Sequence, residues 1–251
     1  METIELTQEL IQSKWAELSK SSMEVLAANA GTTEFKVLDI QATQITVSYN
    51  TLLGNQPNTY GNYIALWQND GSIPWDSPTL KTQKIDTNTP NGTMTFSGLE
   101  LTIQDYIVGY AVSPELSGGS RQKQGNICSS ANILKSDGGS SQREIFTPSI
   151  CTSYIGPNSI AINYNLPTGI LPKTNGAWIG LWESALPSYN NPPIAANNLR
   201  EDAASGAGFI NNLKLLRGRT YTVALFMSGW DCDCNSKHDQ KSMACYVTFT
   251  V

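Results

Sequence analysis

The sequence predicts an all-β protein: two tandem antiparallel β-sandwich domains behind an N-terminal amphipathic α-helix. Three observations lead there. The first is an internal duplication. Ile45-Thr46-Val47-Ser48-Tyr49-Asn50 returns as Ile160-Ala161-Ile162-Asn163-Tyr164-Asn165, and Gly61-Asn62-Tyr63-Ile64-Ala65-Leu66-Trp67 returns as Gly176-Ala177-Trp178-Ile179-Gly180-Leu181-Trp182. Both pairs keep one offset of 115 residues. The second is a change of hydrophobic period at Glu34, from helical to alternating. The third is the regular spacing of short apolar runs with turn residues and most prolines between them, where a missing N–H does no harm.

Residues 1–30 form the helical segment, with the pattern clearest over 3–28. Ile4, Ile11, Leu18 and Val25 recur every seven residues, and Leu10, Trp15 and Leu26 widen the stripe. Thr7, Lys14 and Ser21 fill the matching half-heptad positions, so this is not a full coiled-coil seam. Ala30-Gly31-Thr32-Thr33 is the expected helix end. A helix of this length is marginal unless its apolar face is buried. It therefore docks on its own sandwich, on a second copy or on lipid. Ile4, Ile11, Trp15, Leu18 and Val25 are the candidate oligomer contact.

The first sandwich is expected over residues 34–135. Phe35/Val37 and Ile45/Val47/Tyr49 alternate as half-buried strands do. Tyr63–Trp67 is a near-continuous apolar strand that crosses a core. Thr93–Phe96, Tyr106–Val112 and Asn126–Ile133 continue the set. Residues 136–144 are a Gly/Ser-rich linker. The second sandwich, 145–251, follows the same plan through Ile160–Tyr164, Trp178–Trp182, Phe209/Leu213/Leu215, Tyr221–Met227 and Cys245–Val251. Each unit of about 100 residues is long enough for one core of its own, and its size is that of an immunoglobulin domain.

Composition narrows the function. Of 251 residues only 15% are charged, and the net charge is −5. With no Lys/Arg stripe, a nucleic-acid partner is excluded. The N-terminus lacks a basic n-region and an apolar h-region, and no apolar run reaches the roughly 18–20 residues of a membrane span. The expected location is cytoplasmic, or outside the cell after export without a cleaved signal peptide, and membrane contact is disfavoured. The five cysteines (Cys128, Cys151, Cys232, Cys234, Cys245) read as thiols, with a bridge in the last loop or to Cys151 left open. The single sequon at Asn91 carries no weight.

Candidate sites lie in the two longest loops, 113–126 and 228–243, which join equivalent strands and so fall at the same end of each unit. They carry Arg121 in the first, and Trp230, Asp231 and His238 in the second. Trp75 and Tyr189 hold matching positions in another pair of loops. An aromatic face beside Asn and Asp is how sugar- and protein-binding surfaces are built, and a ring folded back onto the sandwich is the plainer reading. Trp67 and Trp182 belong to the core strands. Cys232, Cys234, His238 and Cys245 are the one cluster with zinc-ligand chemistry. Their spacing matches no standard finger, and Cys245 has an apparent counterpart in Cys128, so no metal or other cofactor is expected. His238 is the only histidine, it sits in a polar loop, and no Gly-x-Ser-x-Gly elbow is present. No catalytic residue is assigned; the carboxylate pairs Glu201/Asp202 and Asp231/Asp233 read as solvated loop groups.

The strands Tyr63–Trp67 and Trp178–Trp182, with Tyr106–Val112 and Tyr221–Met227 beside them, resemble the SKICH-type immunoglobulin-like module, which carries a similar aromatic-Ile-Gly-Leu-aromatic core strand. The resemblance implies a sandwich used for docking, without chemistry of its own. The expected function is a non-enzymatic recognition or adhesion-type protein whose two similar modules bind a glycan or protein surface. The alternatives are a self-assembling structural or inclusion-body protein using residues 3–28 as protomer contact, and a toxin-like membrane-active protein.

Overall fold

The structure is a computed structural model and describes residues 30–135, 144–230 and 238–251. It is almost entirely β. The expected helix over 3–28, with Ile4, Ile11, Trp15, Leu18 and Val25, lies outside the described residues.

The first repeat contributes β1 (Ala30–Thr32), β2 (Glu34–Gln41), β3 (Gln44–Asn50), β4 (Tyr63–Gln68), β5 (Lys81–Lys84), β6 (Asn91–Ser97), β7 (Tyr106–Ala111) and β8 (Ile127–Ile133). The second contributes β9 (Ile145–Phe146), β10 (Ser149–Ile155), β11 (Ser159–Asn165), β12 (Trp178–Trp182), β13 (Ala195–Asn198), β14 (Ser205–Asn211), β15 (Thr220–Phe226) and β16 (Met243–Thr250), with one turn of helix, α1 (Pro172–Asn175). The duplication therefore extends to every strand. Each half forms a three-stranded sheet, β2-β3-β6 or β10-β11-β14, and a five-stranded sheet, β5-β4-β7-β8-β9 or β1-β16-β15-β12-β13. All pairings are antiparallel.

Those strand orders contain an exchange. β1 opens the first repeat yet pairs with β16 of the second, Gly31 opposite Tyr246. β9 opens the second repeat yet pairs with β8 of the first, Phe146 opposite Ser130. The two crossings are equivalent under the repeat. The chain passes between the halves at Thr33, whose N–H donates to Ala244 O at 3.0 Å and whose carbonyl accepts from the buried Ser129 hydroxyl. Ala30, expected at the helix end, is instead the first residue of this bridging strand. Hydrogen bonding thus does not divide the chain where the repeat does.

The core follows the same logic. One core per unit is the expectation, but the main cluster of buried apolar side chains runs from Phe35 to Phe249 through both halves, and a smaller one gathers Leu52, Trp178, Trp182, Ala224, Phe226 and Met243. The alternating strands behave as the pattern predicts: Ile45, Val47 and Tyr49 of β3 are buried between half-exposed neighbours. β4, β7 and β12 are buried on both faces, because loops cover the outer sides of their sheets. The indole N–H of Trp67 donates to Ser77 O at 3.4 Å, and that of Trp182 to Asn191 O at 2.9 Å, tying the covering loop in each half. One alternation was misread. Phe209 points outward at 51% exposure and its neighbour Ile210 is buried, because the pleat places residues 206, 208 and 210 inward.

Gly31 leaves room for the Tyr246 ring to lie over β1. A Cβ there would sit 2.3 Å from the Tyr246 ring. Gly31→Val should cost about 1–3 kcal/mol, as overpacking does. It should also speed amide exchange in the Cys245–Val247 ladder. If the protection of that ladder is unchanged, Tyr246 simply swings aside and the close approach is not what holds β1.

Candidate functional site

Two side chains on the outer face of the equivalent central strands anchor the two long loops. The Tyr63 hydroxyl donates to Gln124 Oε1 at 2.5 Å, and the Trp178 indole N–H donates to Ser228 O at 3.0 Å. Within the first loop Gln124 Nε2 reaches Glu115 at 3.0 Å, Asn126 Nδ2 reaches Pro114 O at 2.7 Å, and Lys123 pairs with Glu115 at 3.2 Å. That exposed ion pair contributes little by itself. The second loop is closed at its base by Ser228 and Ser242, which bond each other's backbone or hydroxyl. A further bond joins the loops: Ser228 Oγ donates to Asn126 Oδ1 at 2.7 Å, both residues buried.

The loops meet over Gly176, the left-handed residue that ends α1 (φ +77°). Arg121 Nη2 lies 3.9 Å, and the Trp230 amide nitrogen 3.8 Å, from where a side chain on Gly176 would begin. Trp230 N–H donates to Gly176 O at 3.0 Å. From Trp230 an aromatic run descends into the sheet. Trp230 stacks on His238 (4.1 Å, 12°), His238 tilts against Trp178 (5.0 Å), Trp178 stacks on Phe226 (3.9 Å), and Phe226 meets Trp182 (6.0 Å). Trp178 and Phe226 are fully buried, while Trp230 and His238 are half-buried at the surface end. The structure thus stacks Trp230 on His238 and brings Arg121 to the Gly176 turn that Trp230 N–H bonds. Asp231, Cys232 and Cys234 lie outside the described residues.

Trp75 and Tyr189 do sit at matching places, but they face inward. Each reaches from the covering loop of its own half into the opposite half. Trp75 is 8% exposed, and its indole N–H donates to Thr168 O at 2.8 Å beside Gly169. Tyr189 stacks on Tyr60 (5.3 Å) beside Gly54. Gly54 and Gly169 are repeat equivalents with φ of +88° and +82°. Placement as open surface aromatics is therefore corrected for both rings: each is a joint between the halves. A side-chain clasp adds to these joints. Gln122 Nε2 donates to Gly169 O (2.9 Å), Gln122 Oε1 accepts from Leu171 N–H (2.8 Å), and Asn175 Oδ1 accepts from Gln122 N–H (2.9 Å). No pattern in the sequence marked Gln122 or Asn175. The shared offset of Gly54 and Gly169 was a readable signal.

A cleft of about 550 Å³ opens along this seam. Trp75, Asp76 and Thr79 line one side, Arg121 and Lys123 the other, and Leu171 of the second half closes it. Arg121 therefore stands on a groove with both apolar and hydrogen-bonding walls.

The cysteines of β8 and β16 are buried thiols, and Cys151 is exposed. Burial pushes Cys128 up to about 12 and Cys245 well above its ordinary value. Their apparent equivalence is corrected by the register. Leu225 opposes Cys245 where Tyr110 opposes Ser129, so Ser129 is the counterpart of Cys245 and Cys128 falls in the bulge. No group of three His, Cys, Asp or Glu side chains converges among the described residues. Among them, too, no helix is long and apolar enough to cross a membrane.

No family model matches the chain, and no curated protein matches it. Among solved structures, a biofilm associated protein (BSP domain) is similar over 78% of this chain and 27% of its own, at 17% identity and a TM-score of 0.25. The chain spans about a quarter of the length of that structure.

Proposed function

We propose that this chain is a non-enzymatic recognition protein of the adhesion type. In this reading it is built of two tandem immunoglobulin-like modules and binds a glycan or a protein surface where its two long loops meet. One observation carries the reading: Trp230 and His238 stack at the half-buried end of the second loop, and Arg121 of the first loop, on the wall of the seam cleft, reaches the same Gly176 turn that Trp230 N–H bonds. A flat aromatic face, a forked cation and nearby amides are the groups that grip a sugar ring or a protein hot spot. The described residues at the base of each loop are fastened to strand side chains, which favours pre-organisation there. A ligand here would touch both halves at once.

Arrays of immobilised glycans and proteins, probed with the full chain, test this. Trp230→Ala and Arg121→Ala should each weaken the strongest binding by about tenfold or more, with unchanged far-ultraviolet circular dichroism. Parental binding by both variants would rule out this surface. Turnover of a bound glycan would rule out the non-enzymatic reading.

A further inference from the structure

The two aromatic joints are equivalent in the repeat, yet their surroundings differ in kind. Trp75 meets the second half at Thr168 and Gly169, next to Ile170, and Ile170, Ala177 and Leu225 of that half are all buried. At the same repeat positions the first half carries Asn55, Asn62 and Tyr110, exposed by only 2%, 0% and 0%. The fold tolerates an apolar set at this place, so the polar set is not a requirement of the scaffold.

The polar set is also incompletely paired. Asn55 Nδ2 donates to Asn62 Oδ1 at 2.8 Å and to Thr51 Oγ1 at 2.9 Å, and the Tyr110 hydroxyl donates to the same Asn62 oxygen at 3.1 Å. Asn55 Oδ1, Asn62 Nδ2 and the Tyr189 hydroxyl remain buried without a protein partner. They belong to one neighbourhood. The Tyr189 ring lies 3.5 Å from the Cβ position of Gly54, the residue before Asn55, and burial beside Cys128 and Tyr60 pushes its hydroxyl up. Turning both amides over would exchange the orphaned atoms without removing them.

We propose that the first-half joint is a hydrated site: ordered water enclosed beneath Tyr189 bridges Asn62, Asn55 and the Tyr189 hydroxyl, and so joins the two halves. The chemistry fits water. The Asn62 amide donates, the Asn55 carbonyl accepts, the phenol does either, and water offers two of each. These three groups are neutral, which favours water over an ion. The second-half joint is its dry counterpart, since the Trp75 N–H is satisfied directly by Thr168.

A high-resolution crystal structure of the full chain should show a density peak within about 3 Å of both Asn62 Nδ2 and the Tyr189 hydroxyl. Its absence overturns the proposal. Melting of Tyr189→Phe gives an independent sign. If water bridges the hydroxyl, its loss should lower Tm by roughly 2–4 °C. If the hydroxyl is a dry orphan, removing it should leave Tm unchanged or raise it, and the proposal fails. In an Asn55→Ile/Asn62→Ala background, which copies the second half, adding Tyr189→Phe should no longer lower Tm; a drop as large as in the parent also overturns it.

Discussion

Raising the pH above about 9 should unfold this protein steeply. Five buried acids are held neutral in the folded chain: Cys128, Cys245, Tyr63, Tyr110 and Tyr189, all pushed up first by burial. In the unfolded chain the thiols ionise near 9.0 and the phenols near 10.0. Above those values the unfolded state sheds protons that the folded state keeps, so stability falls as pH rises. The contribution is intact below pH 9 and is lost on the way to the folded value of Cys128 at about 12. Each group contributes a slope of roughly 1.4 kcal/mol per pH unit once its unfolded form is ionised. Five together reach on the order of 7 kcal/mol per unit, comparable to the whole stability of a typical domain. Urea midpoints from pH 8 to 11, followed with tyrosinate absorbance, would measure it. Free ionisation of all ten tyrosines near pH 10 with a steady midpoint would contradict the burial described here.

Gly169→Ala should be much more damaging than Gly54→Ala, although the two glycines are repeat equivalents. Both have positive φ, which costs an L-residue about 1–2 kcal/mol. At Gly54 the added Cβ meets only ordinary contact with Tyr189, at 3.5 Å. At Gly169 it comes within 2.9 Å of Trp75 Nε1, the atom that donates to Thr168. The indole must shift off its bond to Thr168, and overpacking of this kind costs a further ~1–3 kcal/mol. The expected totals are about 1–2 kcal/mol for Gly54→Ala and about 3 or more for Gly169→Ala, read from urea midpoints. Gly169→Ala should cost less in a Trp75→Ala background, because the clash is then gone and only the backbone strain remains. Equal losses at the two glycines would mean that Trp75 is not a tight joint.

Much of this build was legible because side-chain period is a local property. Alternation in β3 and continuous apolarity in β4 and β12 follow from one buried face or two, and a chain can be read for that residue by residue. The matching of the two long loops follows from the offset, and that of Trp75 with Tyr189, one residue short of it, from their equivalent loops. What escaped was direction. Phe209 and Ile210 differ by one position, and a slip of one residue turns a strand inside out. The cysteine counterpart was missed because a bulge adds a residue that no pattern announces. The clasp of Gln122 and Asn175 was invisible because its partners are backbone atoms some fifty positions away.

By itself the sequence determined that this protein is β-rich, duplicated at a spacing of 115 residues, and sparing in charge. These properties are written in composition and period. Only the tertiary structure decided that β1 and β9 change sides, that the main core runs through both halves, and that Trp75 and Tyr189 are joints facing inward. It alone stacked Trp230 on His238 and brought Arg121 to the neighbouring Gly176 turn. The physical reason is that strand partners and loop contacts are long-range. They are chosen by which backbone edges and hollows remain open once the sheets have formed, and no local stretch of chain carries that information.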